Sequence, residues 1–334
     1  MPTEAPTIFE SLPGQLMSVS EVTQELSKMW SVTPMPGSEA PSEFRASQMN
    51  LVLHFGLKTT TEEAQERFNT AIAFAQRYPC RIVVLCPMGR EPSDRLLEGK
   101  LFAQCYVGES IRQMCCCEAL MLGYPTRQAG FLSNQVSTWL ENDLPTYHWF
   151  NRVPAERIGQ MHMEFVKRCR RVVYDSDVEV SDFREIAWPR PQGVIDLAYA
   201  RILPVRQTLG QFLSRYDTSK LVGGLKQVQA RFSGPRQGEA CNLLRWTQTC
   251  LEGCSEESGV PLEADFAWTE VDDAHSLEVE WVYEDSRHFL WVHEKEGLEA
   301  TITADFGNGR ISTPMQVALL SPDAALAEAL FFSS

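Results

Sequence analysis

Short apolar runs separated by amphipathic segments constrain this chain more than any other feature. "NLVLHFGL" (Asn50–Leu57) and "RIVVLC" (Arg81–Cys86) have the length and continuity of strands buried on both faces. Between them Thr60 and Glu63 cap a segment in which Ala64, Phe68, Ile72 and Ala75 recur at helical spacing as far as Pro79. This predicts a strand, helix, strand unit. "KLFAQCYV" from Lys100 and "IRQMCCCEALML" from Ile111 add two strands, with Gly108 and Glu109 near their connection. Helices around Leu132–Leu140 and Glu156–Cys169 then lead into "LPTYHWF" and "RRVVY". The alternation predicts the α/β class, a sheet covered by helices. Two consecutive strands with no helix between Lys100 and Leu122 make the sheet mixed. Upstream, Ser18 and Glu21 form a capping box for a helix carrying Val22, Leu26 and Met29, and Pro34–Glu43 reads as a loop.

Cys115, Cys116 and Cys117 lie side by side in this pattern. In a strand, successive side chains alternate between faces, so Cys115 and Cys117 share one and Cys116 takes the other. Three such neighbours cannot converge on one tetrahedral metal, and the paired C-x2-C spacing of structural zinc sites is missing. Cysteine packs well as a small apolar group, so core filling is the expected role. Ten cysteines in 334 residues are too dilute for a disulfide framework.

After Asp182 the pattern changes. "WPRPQG" makes a bend, and the stretch from Ile195 to Asp217 reads as helical, with Pro204 at a helix start and Leu209, Phe212 and Leu213 facing inward. "TSKLVGGLK" has the composition of a linker, which sets the expected domains at 1–217 and 218–334. "QVQARF", a helix with Ala240, Leu243, Leu244 and Thr247, and four strand candidates follow. In "SLEVEWVYE", Leu277, Val279, Trp281 and Tyr283 alternate with mainly acidic residues, as in a half-exposed antiparallel sheet. Gly307, Asn308 and Gly309 mark a hairpin between the last two strands. Ser321 and Pro322 open a terminal helix with Leu326 and Leu330 on one face. The expected architecture is an N-terminal mixed sheet covered by helices plus a smaller C-terminal α+β domain with an antiparallel sheet.

The net charge of −14 is unevenly spread. From Leu251 onward, eighteen acidic residues face three basic ones (Arg287, Lys295, Arg310), leaving residues 1–250 near neutrality at +1. An acidic surface argues against nucleic acid as a partner, because phosphate binding needs clustered Lys and Arg. It serves solubility, or meets a basic patch on a partner protein. No apolar run is long enough to cross a bilayer, and "MPTEAPTIFE" lacks the features of a signal peptide. The expectation is therefore a cytoplasmic protein with no membrane partner.

Chemistry-bearing motifs are sparse. The common P-loop, dinucleotide, zinc-protease and serine-hydrolase signatures are absent, so no catalytic residue, metal or cofactor is expected. His54 and His148 sit within apolar strands, where a hydrogen-bonded core imidazole is the simple reading. Asp175 follows "RRVVY" at a strand's C-terminal end, where α/β sheets place ligands, although a capping carboxylate would look the same.

Taken in order, "YPCRIVVLCP", "MCCCEALML", "LPTYHWF", "VVYDSD" and "DLAYARILPVRQTLGQFL" resemble successive signatures of OpcA, the glucose-6-phosphate dehydrogenase assembly protein family. "VTQELSKMW" followed by "RASQMNLVL" resembles the family's start, and the likeness extends through "QVQARF" and "LLRWTQTCLEGC". The resemblance implies a non-catalytic partner that binds glucose-6-phosphate dehydrogenase, of the oxidative pentose phosphate pathway, and promotes its active oligomer or allosteric activation. Glu118, Asp175, Ser176, Asp196, Leu197 and Arg201 match family motif positions. Of these, Glu118, Asp175, Ser176, Asp196 and Arg201 are candidates for the partner interface. Tyr199 and Val205 stand where the family has Trp.

Some members of the family, chiefly cyanobacterial, are associated with thioredoxin-linked control through cysteines near the C-terminus. This chain has no cysteine after Cys254. Cys250 and Cys254, one helical turn apart, are the redox candidates, or simply one buried and one incidental thiol. The alternative function is a small-molecule binding protein or enzyme that uses the strand ends of the N-terminal sheet around Asp175 and Ser176.

Overall fold

The computed structural model describes residues 6–31, 47–89, 97–107, 114–179, 183–272, 275–294 and 298–333. The expected Pro34–Glu43 loop and the Gly108–Glu109 connection lie outside these residues, as do the side chains of Met29, Cys115 and Cys116. The chain divides into two units, Met1–Ile195 with Leu326–Ser334, and Asp196–Ala325.

In the first unit, α1 (Ile8–Ser11) starts with a capping box between Thr7 and Glu10. β1 (Gln15–Ser18) runs into α2 (Val19–Ser31), where Ser18 N donates to the Glu21 carboxylate at 3.1 Å and Val22 and Leu26 are buried. β2 (Met49–Phe55), α3 (Thr61–Arg77) and β3 (Cys80–Pro87) form the expected strand, helix, strand unit. β4 (Glu98–Val107) and β5 (Met114–Tyr124) pair antiparallel, because their short connection cannot make a crossover. Cys117 of β5 is buried.

A 3₁₀ turn (Thr126–Phe131) shortens the next helix to α4 (Leu132–Ser137). After β6 (Thr146–Asn151), the helical run is divided into α5 (Ala155–Arg157), a π-helical turn (Ile158–His162) and α6 (Met163–Val166). β7 (Arg171–Tyr174) and β8 (Val194–Asp196) complete the sheet. β8 is a departure from expectation, since residues 195–196 read as helical in sequence; Asp196 instead caps the helix that follows.

The sheet order is β1-β4-β5-β3-β2-β6-β7-β8. Five of these strands, β5-β3-β2-β6-β7, are parallel to their neighbours in that row. From β2 the chain winds outward through β3 to β5, then returns to the other side of β2 with β6 and β7. This is the doubly wound arrangement, and its strand order reverses between β2 and β6. Every residue of β2 is buried, which is why its sequence is almost continuously apolar.

The second unit contains α7 (Leu197–Arg201), α8 (Leu203–Leu213), α9 (Thr218–Val222), β9 (Leu225–Phe232) and α10 (Gln237–Ser258). β10 (Asp265–Glu270), β11 (His275–Tyr283), β12 (His288–Glu294), β13 (Glu299–Asp305) and β14 (Ile311–Gln316) follow, then α11 (Pro322–Ala327). The sheet order is β10-β9-β11-β12-β13-β14. Five strands pair antiparallel; β10, which is not among the four strands expected from sequence, adds a parallel edge beside β9. "TSKLVGGLK" is folded rather than a linker, since Leu221, Val222 and Leu225 are buried. The division expected after Asp217 falls inside this unit, where Phe212 and Leu221 join one core. At the β13–β14 hairpin, Gly307 and Gly309 have positive φ, and their amides donate to Asp305 Oδ1.

The last residues return to the first unit. Phe331 lies 4.9 Å from the Tyr78 ring and 6.0 Å from Tyr147, while Ala329 O accepts from Arg171 at 2.7 Å.

Candidate functional site

A doubly wound sheet binds ligands outside the carboxyl ends of its strands, where the strand order reverses. Here that point lies between β2, ending at Phe55, and β6, ending at Asn151. The two ends are in direct contact. Gly56 N donates to Asn151 O at 2.8 Å, and a β-carbon on Gly56 would stand 1.8 Å from Arg152 O. Only glycine permits this approach.

Arg152 has φ 55°, the one positive value among the described non-glycine residues. Three contacts hold it there. Its amide donates to Glu179 Oε1 at 2.7 Å, its Nε to Glu63 Oε2 at 2.6 Å, and its Nη1 to Val178 O at 3.0 Å. Asn151 Nδ2 also donates to Glu63 Oε1 at 3.3 Å. Strained backbone of this kind persists only where the surroundings over-determine it. Burial raises the Glu179 carboxyl to about 8, and the nearby Asp175 and Glu63 charges push in the same direction against Arg152.

On the same strands lies a group of imidazoles. His54 Nε2 and Tyr124 Oη are 2.9 Å apart, and His54 Nδ1 and His148 Nε2 are 3.3 Å apart. The His162 ring, from the π-helical turn, meets that of His54 edge-on at 4.6 Å. Burial lowers the pKa of all three, that of His162 to about 4, so they are neutral at pH 7. Their place in apolar strands predicts His54 and His148 as hydrogen-bonded core residues, but not as partners of each other. His162 was missed, for nothing in a helical stretch marks where a π-turn will aim its side chain.

A cavity of about 80 Å³ opens at these strand ends, lined by Lys58, Tyr124, Arg152, Arg157 and His162 among others. Ligand pockets for drug-sized molecules run from roughly 300 to 1,000 Å³. A dinucleotide does not fit this crevice. Its pyrophosphate would need a glycine-rich turn opening onto a helix N-terminus. Here the first turn of α3 carries Glu62 and Glu63, and the Glu63 carboxylate already holds Arg152. Among the described residues no group of three or more His, Cys, Asp or Glu is arranged to hold a metal ion.

The residues singled out from sequence fall in separate places. Asp175 is buried at the end of β7; its Oδ1 accepts from Asp177 N at 3.2 Å, and Ser176 lies in the turn that follows. Glu118 is buried in β5 opposite Arg81, which donates to it at 2.6 Å and also pairs with Glu141. Arg81 stands at the start of β3, away from the strand ends that carry Asp175. Asp196 and Arg201 belong to the second unit. Asp196 accepts from Ala198 N at 3.0 Å and from Asn242 Nδ2 at 2.7 Å, while Arg201 donates to the fully buried Glu239 at 2.6 Å. Cys250 and Cys254 line one cavity on α10, and burial raises both thiols. Arg206 Cζ lies over the Tyr199 ring, 3.7 Å from its centroid, and Val205 is buried.

These features define a two-unit α/β chain whose doubly wound sheet is closed by its own residues at the position where such sheets take ligands. Residues 71–187 match the family model described as "Glucose-6-phosphate dehydrogenase subunit N-terminal domain", a model of the OpcA family whose signatures the ordered motifs resemble. The family's name indicates a role in glucose-6-phosphate dehydrogenase assembly. No curated protein matches the chain.

Among solved structures, glucose-6-phosphate 1-dehydrogenase from Mycobacterium avium is similar at 9% identity, with 84% of this chain and 86% of that one covered and a TM-score of 0.44. The 3-ketoreductase KijD10 from Actinomadura kijaniata is similar at 8% identity, covering 84% and 88%, with a TM-score of 0.40. Aldose-aldose oxidoreductase from Caulobacter crescentus stands at 8% identity, covering 85% and 88%, with a TM-score of 0.38. At these values the likenesses carry no argument about activity. No helix among the described residues is long and apolar enough to cross a membrane.

Proposed function

We propose that this protein is a non-catalytic partner of glucose-6-phosphate dehydrogenase, acting in the cytoplasm within the oxidative pentose phosphate pathway. It binds the enzyme and promotes its active oligomer or its allosteric activation. The family match over residues 71–187 carries this reading. The close approach of the β2 and β6 ends, with the Glu63 carboxylate already engaged by Arg152, agrees with its non-catalytic half.

A contact surface is available in the acidic second unit. Trp268, on the outer strand β10, is 46% exposed beside Glu263, Asp265 and Glu270. Trp is among the residue types enriched in the few positions that dominate a protein interface. Of the family-motif positions, Ser176 and Arg201 are partly exposed and stand as candidates for the partner interface, while Glu118, Asp175 and Asp196 are buried. An activator must favour the active state of its target by differential affinity, since equal affinity for both states shifts no population.

The test is an assay of glucose-6-phosphate dehydrogenase from the same source, with and without this protein, across glucose 6-phosphate concentrations. A saturable fall in apparent KM or rise in kcat, with no activity from this chain alone, is expected. No change at micromolar excess, together with no complex on size exclusion, would refute the proposal. The strained Arg152 and the raised Glu179 favour a second reading, a small-molecule site at the strand ends, and such sites are where strain and shifted carboxyls collect. Turnover or ligand binding that is lost in Arg152→Ala but does not require the enzyme would favour it.

A further inference from the structure

The second unit holds a cavity of about 550 Å³. Its walls come from the end of α8, from α9, from one face of α10 and from β11. On α10, Trp246, Cys250, Cys254 and Glu257 recur at helical spacing and so present one row to it. Tyr216 and Asp217 close it from the α8–α9 connection, and Trp281 contributes from the sheet. This volume is within the range of small-molecule sites.

The lining has a distinct chemical character. Three aromatic residues and two thiols are present, and among the described residues no Lys or Arg lines the cavity. Asp217 and Glu257 are exposed, which puts them at the mouth, and neither makes an ion pair among the described residues. Trp281 is 3% exposed, and among the described residues its indole Nε1 has no hydrogen-bond acceptor. Arg206 is the cation whose charge reaches Cys250, but it is turned to Tyr199, stacked on the ring and donating to its hydroxyl at 2.6 Å. The surrounding chain is strongly acidic from Leu251 onward. Phosphate or carboxylate ligands would meet unopposed negative charge here, so phosphorylated sugars are poor occupants. A cation gains twice, from the carboxylates and from the aromatic faces.

We propose that this cavity binds a small organic ammonium compound, with its apolar body packed on Tyr216, Trp246 and Trp281 and its charge balanced by Asp217 and Glu257. The site is independent of the dehydrogenase-partner reading and would stand if that reading failed. Cys250 and Cys254 act as apolar wall atoms in it, and Cys250, itself exposed, reports on occupancy.

The experiment uses the full chain and three probes of one shape: 2-phenylethylamine, neutral 2-phenylethanol and anionic 3-phenylpropionate. Tryptophan fluorescence measures binding, and the rate of N-ethylmaleimide addition at Cys250, followed by mass spectrometry, locates it. The amine is expected to bind saturably and slow labelling of Cys250, with the alcohol about 10-fold weaker and the anion weaker still, a difference of about 1.4 kcal/mol per decade. The double variant Asp217→Asn/Glu257→Gln, whose changes are on the surface, should lose about that factor for the amine alone. Trp246→Ala should weaken amine and alcohol together. Equal binding of all three probes, no binding of the amine, or amine binding that leaves Cys250 labelling unchanged would each overturn the proposal.

Discussion

Gly56 and Arg152 meet backbone to backbone across the reversal point of the first sheet, so closely that a β-carbon on Gly56 would overlap the Arg152 carbonyl at 1.8 Å. The contact joins β2 to β6 at the position where a doubly wound sheet otherwise leaves a crevice. Gly56→Ala should therefore lower stability by about 1–3 kcal/mol, the range for forcing extra volume into packed structure. Chemical denaturation measures the loss. A change under 0.5 kcal/mol would mean that the strands separate easily.

Glu179 adds a pH dependence of definite sign. Its folded pKa, about 8, exceeds its ordinary value of 4.5, so between these pH values the native state keeps a proton that the unfolded state has lost. Stability from this group therefore falls as pH rises from 4.5 to 8. Glu179→Gln, which keeps an acceptor for Arg152 N, should remove that fall and leave the variant more stable than the parent at pH 8. Unfolding midpoints at pH 5, 6.5 and 8 decide it.

The imidazoles act with the opposite sign. His162 titrates near 4 when folded against 6.5 ordinarily, so the unfolded state binds protons first as the medium is acidified. Stability is lost as pH falls from 6.5 towards 4, and His54 and His148 act in the same direction. His162→Phe should reduce the slope of stability against pH across this window, by up to one proton, in urea titrations. An unchanged slope would show that His162 does not contribute.

Trp268 is the residue to remove from the proposed partner surface. Trp268→Ala should weaken the complex with glucose-6-phosphate dehydrogenase by about 2 kcal/mol, roughly 30-fold. The thermal midpoint of the free chain should change little, since about half of the side chain is already in water. Calorimetric titration gives the affinity, and equal affinities would move the interface elsewhere.

Thiol chemistry separates the readings of Cys250 and Cys254. Burial raises both, so neither is a thiolate at pH 7. Activation of the enzyme is expected to be the same before and after mild oxidation, and a reversible loss in the parent but not in Cys250→Ser would show redox control.

Local pattern determined much of this protein. The apolar runs of β2, β3, β6 and β7 could be read directly, because strands buried on both faces need continuous hydrophobicity. Likewise the Ser18–Glu21 box, the mixed sheet and the Gly307–Gly309 hairpin follow from contacts within a few residues. Tertiary structure alone decided the rest. β10 is too polar to announce itself and exists because β9 offers it a parallel edge. "TSKLVGGLK" folds because Leu221 and Leu225 find a core, which its composition does not reveal. Glu63, Asn151, Arg152 and Glu179 are spread over more than a hundred residues and become one network only where two strand ends meet. Glu118, level with the start of β3, and Asp175, just past the end of β7, are apart in the first sheet for the same reason. Periodicity specifies which face of an element is buried, but which distant polar groups share that buried space depends on strand order, and strand order is settled by the packing of the whole sheet.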